Sequence, residues 1–125
     1  MLVGCASKSN PEWSQARSEM EEDACLRLDK ARAAIEAKDY ALAKSILIEM
    51  RKKDSLAITA REVGIVLMDS VNLLEAEQEM QALGKEMLSA SDGVDSLQLL
   101  WNEAQRKARF YQRKLEHDKQ IQHAD

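Results

Sequence analysis

The feature that most constrains this chain is a helical apolar period running from about Ile58 to Leu88 without a breaker. At 1.5 Å per residue such a helix measures about 45 Å, which is long for a chain of 125 residues. Val63, Leu67, Val71 and Leu74 share one face of its first half. The later half shifts to Leu73, Ala76, Met80, Leu83 and Met87, at the alternating three- and four-residue spacing of a two-helix seam. A return helix is needed to cover it. Ser89-Ala90-Ser91-Asp92-Gly93 reads as the turn, and from about Val94 the residues Leu97, Leu100, Trp101, Ala104, Ala108, Tyr111 and Leu115 supply the facing stripe.

Two further helices precede this pair. Asn10-Pro11-Glu12 predicts a helix start near Pro11, with Asn10 as cap, Pro11 pre-set at the first position and Glu12 complementing the dipole. Trp13, Arg17, Met20, Ala24, Leu28, Ala31 and Ile35 then form one stripe, with Arg17 as its polar intruder. Lys38-Asp39-Tyr40 interrupts the pattern. A shorter stripe of Ala43, Leu47 and Met50 resumes and ends in Arg51-Lys52-Lys53, cations suited to a helix C-terminus, with Asp54-Ser55 as turn. Thr59 and Glu62 stand at capping-box spacing, with Ile58 and Val63 as a hydrophobic staple, so the third helix starts there or up to one turn earlier.

The expected fold is therefore all-α, a four-helix up-down arrangement ending in a long antiparallel coiled-coil hairpin. Residues 1–10 read as a tether, and residues 11–125 as a single helical domain with helices at about 11–37, 40–53, 58–88 and 94–119. Composition agrees, since 32% charged and 45% hydrophobic residues with four Gly and one Pro suit long amphipathic helices. The second helix is about half as long as the others and cannot cover them. The far part of the third helix and the near part of the fourth are then left with each other, so Met80, Leu83, Met87, Leu97 and Trp101 become a candidate seam for a protein partner or a second copy. The alternative is a compact bundle in which the first helix bends over that seam.

The segment from Leu26 to Ser55 resembles a tetratricopeptide-type helical hairpin. Ala31 stands at the small-residue position, Asp39-Tyr40 at the turn, and Ala43, Leu47 and Met50 at the return seam, while Ser55 replaces the usual Pro. The resemblance implies close helix packing. A peptide-binding array would need about three or more such repeats, and one is visible.

Leu2-Val3-Gly4-Cys5, followed by the polar stretch Ala6-Ser7-Lys8-Ser9-Asn10, resembles a bacterial lipoprotein lipobox without the basic and apolar leader. The resemblance implies lipidation of Cys5, placement in the cell envelope, and, since Ala6 follows Cys5, the periplasmic face of the outer membrane. Cys25 would then be left as a small buried apolar residue.

The remaining chemistry is sparse. A net charge of −4 lacks the basic surplus of a general nucleic-acid binder. No run approaches the roughly 20 apolar residues of a membrane span. His117 and His123 are wrongly spaced to share a metal from one helical face, and no phosphate-binding glycine loop or nucleophile elbow occurs, so no catalytic residue, metal or cofactor is assigned. Glu21-Glu22-Asp23 and Glu75, Glu77 and Glu79 read as solvated faces. Arg51, Lys52 and Lys53, together with Arg113 and Lys114, form a candidate membrane-proximal basic set, with helix-end capping and ion pairing as the plainer account. The leading expectation is a non-enzymatic envelope lipoprotein acting as a helical scaffold or adaptor. The alternatives are a cytosolic helical regulator or dimerisation module, in which Cys5 is coincidental, and an inter-helical ligand site.

Overall fold

Capping decides where each helix begins. The computed structural model describes residues 10–123, in which α1 (Gln15–Glu36), α2 (Tyr40–Lys53), α3 (Ile58–Ser89) and α4 (Val94–His123) follow one another. No strand occurs among the described residues. The four-helix, all-α fold expected from periodicity is the fold observed, and α3 and α4 pack closely as a hairpin. The lipobox-like residues and the remainder of the tether up to Ser9 lie outside the described residues.

Two boundaries differ from the sequence reading. α1 begins at Gln15, not Pro11, because Asn10 spends its oxygens on a separate turn. Its side chain accepts from the Glu12 N–H at 2.9 Å, and its carbonyl accepts from the Trp13 N–H at 3.0 Å. Ser14 has the extended backbone of an N-cap, and its Oγ accepts from the Arg17 N–H at 3.1 Å. At the other end, α4 continues to His123 rather than stopping near Lys119.

The α1–α2 turn is a Schellman closure. The Asp39 N–H reaches the Ala34 carbonyl at 2.8 Å and the Lys38 N–H reaches the Ile35 carbonyl at 2.9 Å. Lys38 occupies the left-handed region there (φ 60), where glycine is usual, and Asp39 caps α2 by accepting from the Leu42 N–H at 3.2 Å. At the α3–α4 turn the positive φ of 70 falls on Gly93, which has no Cβ to oppose it.

Two compact units divide the chain, the first ending at Met68 and the second beginning at Asp69, so the boundary falls inside the continuous α3. A 32-residue helix following a 14-residue one has different neighbours along its two parts. The first unit packs Ala24, Leu28 and Ala31 of α1 against Ala43, Leu47 and Met50 of α2, all fully or almost fully buried. Ala57, Ala60 and Gly64 complete it, and a Cβ on Gly64 would stand 2.6 Å from the Met50 methyl. Small residues thus set the close approach of these helices. In the second unit the buried apolar positions are Val71, Ala76, Ala104 and Leu115. Of the four largest fully buried side chains, only Val71 belongs to this second unit, so the hairpin has a thin core.

Candidate functional site: an apolar groove on the α3–α4 hairpin

The hairpin carries a groove of about 540 Å³ between α3 and α4, against about 160 Å³ for a depression beside Ile58 and Ile65 in the first unit. Leu73 and Met80 of α3 and Ala108 of α4 line it with apolar surface. Its charged margins differ in sign, with Glu77 on α3 and Arg109 and Arg113 on α4, while Gln105 and Gln112 supply uncharged polar groups. Glu77, Arg109 and Arg113 are all exposed. None of the three is held in an ion pair among the described residues.

The seam named from the sequence lies on this hairpin. Met80 lines the groove itself, and Leu83, Met87, Leu97 and Trp101 are half-buried. Leu100, expected to face inward, is 48% exposed. It falls at the margin of the stripe, about 60° round the helix from Leu97, whereas Trp101 and Ala104 lie closer to the stripe's centre. Phe110 is also exposed, its ring edge-to-face with Tyr111 at a centroid distance of 5.1 Å.

The basic residues fall into three situations. Arg51, Lys52 and Lys53 are exposed at the end of α2, and Lys53 pairs with Glu49 at 2.7 Å. Arg113 stands at the groove margin. Lys114 is engaged within the hairpin, its Nζ held at 2.8 Å by Asp69 Oδ1 and at 2.8 Å by Asp118 Oδ2. Asp69 is only 2% exposed, and its other oxygen has no hydrogen-bond partner among the described residues. Burial first, then the neighbouring Asp118 carboxyl, push its pKa up, with Lys114 opposing. The neighbouring Asp69 carboxyl, and then Lys114, hold Asp118 below the usual carboxylate range.

A comparable cluster sits in the first unit. Arg27 reaches Asp23 Oδ2 at 3.1 Å, Asp54 Oδ2 at 3.2 Å and Glu49 Oε1 at 3.3 Å. Asp54 is 3% exposed, and burial, followed by the Asp23 carboxyl, pushes its pKa up to about 6, with Arg27 pulling the other way. Between about pH 6 and 4 the folded chain therefore keeps a proton that the unfolded chain releases, so Asp54 disfavours folding at neutral pH and ceases to do so as pH falls through that window. Asp54→Asn is expected to be more stable than the parent by about 2 kcal/mol near pH 7 and to match it near pH 4, because Arg27 retains Asp23 and Glu49. Urea unfolding of both proteins at the two pH values measures this. An unchanged difference between pH values would mean that Asp54 titrates as an ordinary carboxylate.

Sequence reading counted Glu21 as part of a solvated acidic face. It is instead 5% exposed and caps α3 from α1: Oε1 accepts from the Ala60 N–H at 3.0 Å and Oε2 from the Thr59 N–H at 3.2 Å. Of these two donors, the Thr59 N–H is the one that the Thr59–Glu62 capping box was expected to satisfy. Arg17 explains itself at the same place. Its Nε pairs with Glu21 at 3.2 Å, its Nη2 donates to Thr59 Oγ1 at 3.2 Å, and its guanidinium lies 4.5 Å from the Trp13 ring centroid. The signal available in the sequence was the i, i+4 Arg17–Glu21 pair lying along an otherwise apolar stripe.

Cys25 is 4% exposed, as a small buried residue should be, but it is disulfide-bonded rather than a lone thiol. The one other cysteine in the sequence, Cys5, lies outside the described residues. Among the described residues no set of three or more His, Cys, Asp or Glu side chains is grouped to hold a metal ion, and no helix is long and apolar enough to cross a membrane. The arrangement is that of a helical protein whose most distinctive surface is an apolar groove with charged margins. No family model matches the chain, and no curated protein or solved structure is significantly similar to it.

Proposed function

We propose that this chain is a non-enzymatic scaffold or adaptor of the cell envelope, attached to a membrane by lipid on Cys5 and docking a protein through the α3–α4 groove. The observation that carries the docking role is the groove itself, because apolar Leu73 and Met80 lie between two arginines and a glutamate that have no ion-pair partners among the described residues. Surfaces that combine an apolar floor with unspent charges at the margin suit a protein partner. On this reading the α1–α2 hairpin is a tetratricopeptide-like framework that serves packing. Arg51 and Lys52, exposed and in no ion pair among the described residues, would add attraction to an anionic lipid surface of about 1 kcal/mol each. The periplasmic face of the outer membrane is the proposed site.

The disulfide at Cys25 supports an oxidising compartment over the cytosol. It also favours a second reading, the same scaffold without lipid, in which the cysteines of this chain serve disulfide bonding. Mass spectrometry of the peptide containing Cys5, isolated from native membranes without reduction, separates the two. The lipoprotein reading expects diacylglycerol on Cys5 and a membrane-bound protein that Cys5→Ser releases. A lipid-free peptide cross-linked to the one containing Cys25 would overturn it.

A further inference from the structure

Taking the groove to be a docking surface, we infer that its occupant is a second copy of this chain, paired about a two-fold axis parallel to α3 and α4. A lone two-helix hairpin covers one seam of each helix, and two hairpins packed face to face make a four-helix arrangement with a shared core. Such a pair has two symmetric options. With the axis perpendicular to the helices, α3 meets α3 and α4 meets α4, so that Glu77 faces the acidic helix of the other copy and the arginines face arginines. With the axis parallel to the helices, α3 meets α4 of the other copy, and every residue keeps its height along the hairpin.

The charges select the second option. Glu77 and Arg109 line the same groove, and the Asp69–Lys114 contact sets a register in which they stand about one helical turn apart in one copy. The parallel axis therefore brings each Glu77 within reach of the mate's basic α4 face at Arg109, with Arg113 about one turn further on. The apolar positions Met80, Leu73 and Ala108 then close on their counterparts between two such charge contacts. Gly84 lies further along the same stripe as Glu77, Met80 and Met87, and a Cβ placed on it would meet nothing within 4 Å. Neighbouring helices across the interface run antiparallel throughout, the geometry that short-looped bundles prefer.

The test is sedimentation equilibrium of the full chain over a concentration series, with circular dichroism to confirm unchanged helicity. The parent is expected to form dimers that dissociate more readily at high salt. Glu77→Arg alone, or Arg109→Glu with Arg113→Glu, should each weaken the dimer by about tenfold or more, since like charges then meet twice across the axis. The triple variant combining all three changes should recover dimerisation. An equimolar mixture of the Glu77→Arg protein with the Arg109→Glu, Arg113→Glu protein should form the mixed dimer. A parent that stays monomeric over the whole series overturns the inference, as does a triple variant as weak as either half. The outcome is independent of lipid on Cys5, so failure here and failure of the lipoprotein reading are separately visible.

Discussion

Glu21→Ala is expected to remove about 2–4 kcal/mol of stability, read from urea unfolding. The carboxylate accepts two backbone N–H groups at the start of α3 and pairs with Arg17, all at 3.0–3.2 Å. Hydrogen bonds to a charged group each contribute about 1.5–3 kcal/mol net, whereas an ordinary exposed N-cap contributes about 1 kcal/mol. The expected loss falls between one and two such bonds, because Thr59 is exposed and its N–H can take water in place of Glu21. The loss matters: domains of this kind have about 5–15 kcal/mol in total. Glu22→Ala, one residue on and exposed, is the control and should change stability by less than about 0.5 kcal/mol. Equal effects from the two substitutions would show that α3 does not depend on a cap from α1.

The second large effect is expected at Lys114. Removing one partner of a fully buried ion pair costs about 3–5 kcal/mol. The Asp69 side chain is 3% exposed but that of Lys114 is 41% exposed, so water already screens the pair and about 1–3 kcal/mol is the expected cost of Lys114→Met near neutral pH. The pH dependence carries the sign. Burial and Asp118 already push the Asp69 pKa up, and Lys114 is what pulls it back. Without the lysine that pKa rises further, so the folded variant takes up a proton that the unfolded chain releases. Its deficit against the parent should shrink as pH falls through the raised Asp69 pKa. Lys114→Met combined with Asp69→Asn should recover much of the loss at neutral pH. A deficit that is the same in acid and at neutrality would mean that the lysine contributes packing by its methylene chain and not charge.

Much of the fold was legible because the information is local. The Ala43, Leu47, Met50 stripe of α2 and the Val71, Ala76 and Ala104, Leu115 positions of the hairpin are buried as their periodicity requires. Asp39 and Gly93 sit where turn chemistry puts them. The misread start of α1 had a local cause too: Asn10 and Ser14 are both good caps, and the one nearer to proline lost because its side chain closed a turn first. Lys38 was harder, since a lysine at a left-handed position carries no composition signal of its own.

The groove was half legible. Met80 was recognisable as a seam residue from spacing alone, but nothing in the neighbourhood of Glu77 said that Arg109 and Arg113 would stand across from it. The same holds for the buried charges. Asp69 follows the apolar run Val63 to Met68 and falls on the inward face, a visible anomaly whose resolution by Lys114 was not.

By itself the sequence determined the helices, their order and their apolar faces, because periodicity and most caps are written within a few residues of one another. Only the tertiary structure decided which charges are dry. Glu21 finds Ala60 across a separation of 39 residues, and Lys114 finds Asp69 across 45. A carboxylate on a helix reads as solvated until another element excludes water from it. Whether that element brings a backbone donor, a lysine or nothing is settled by how the helices pack, not by the residues beside it.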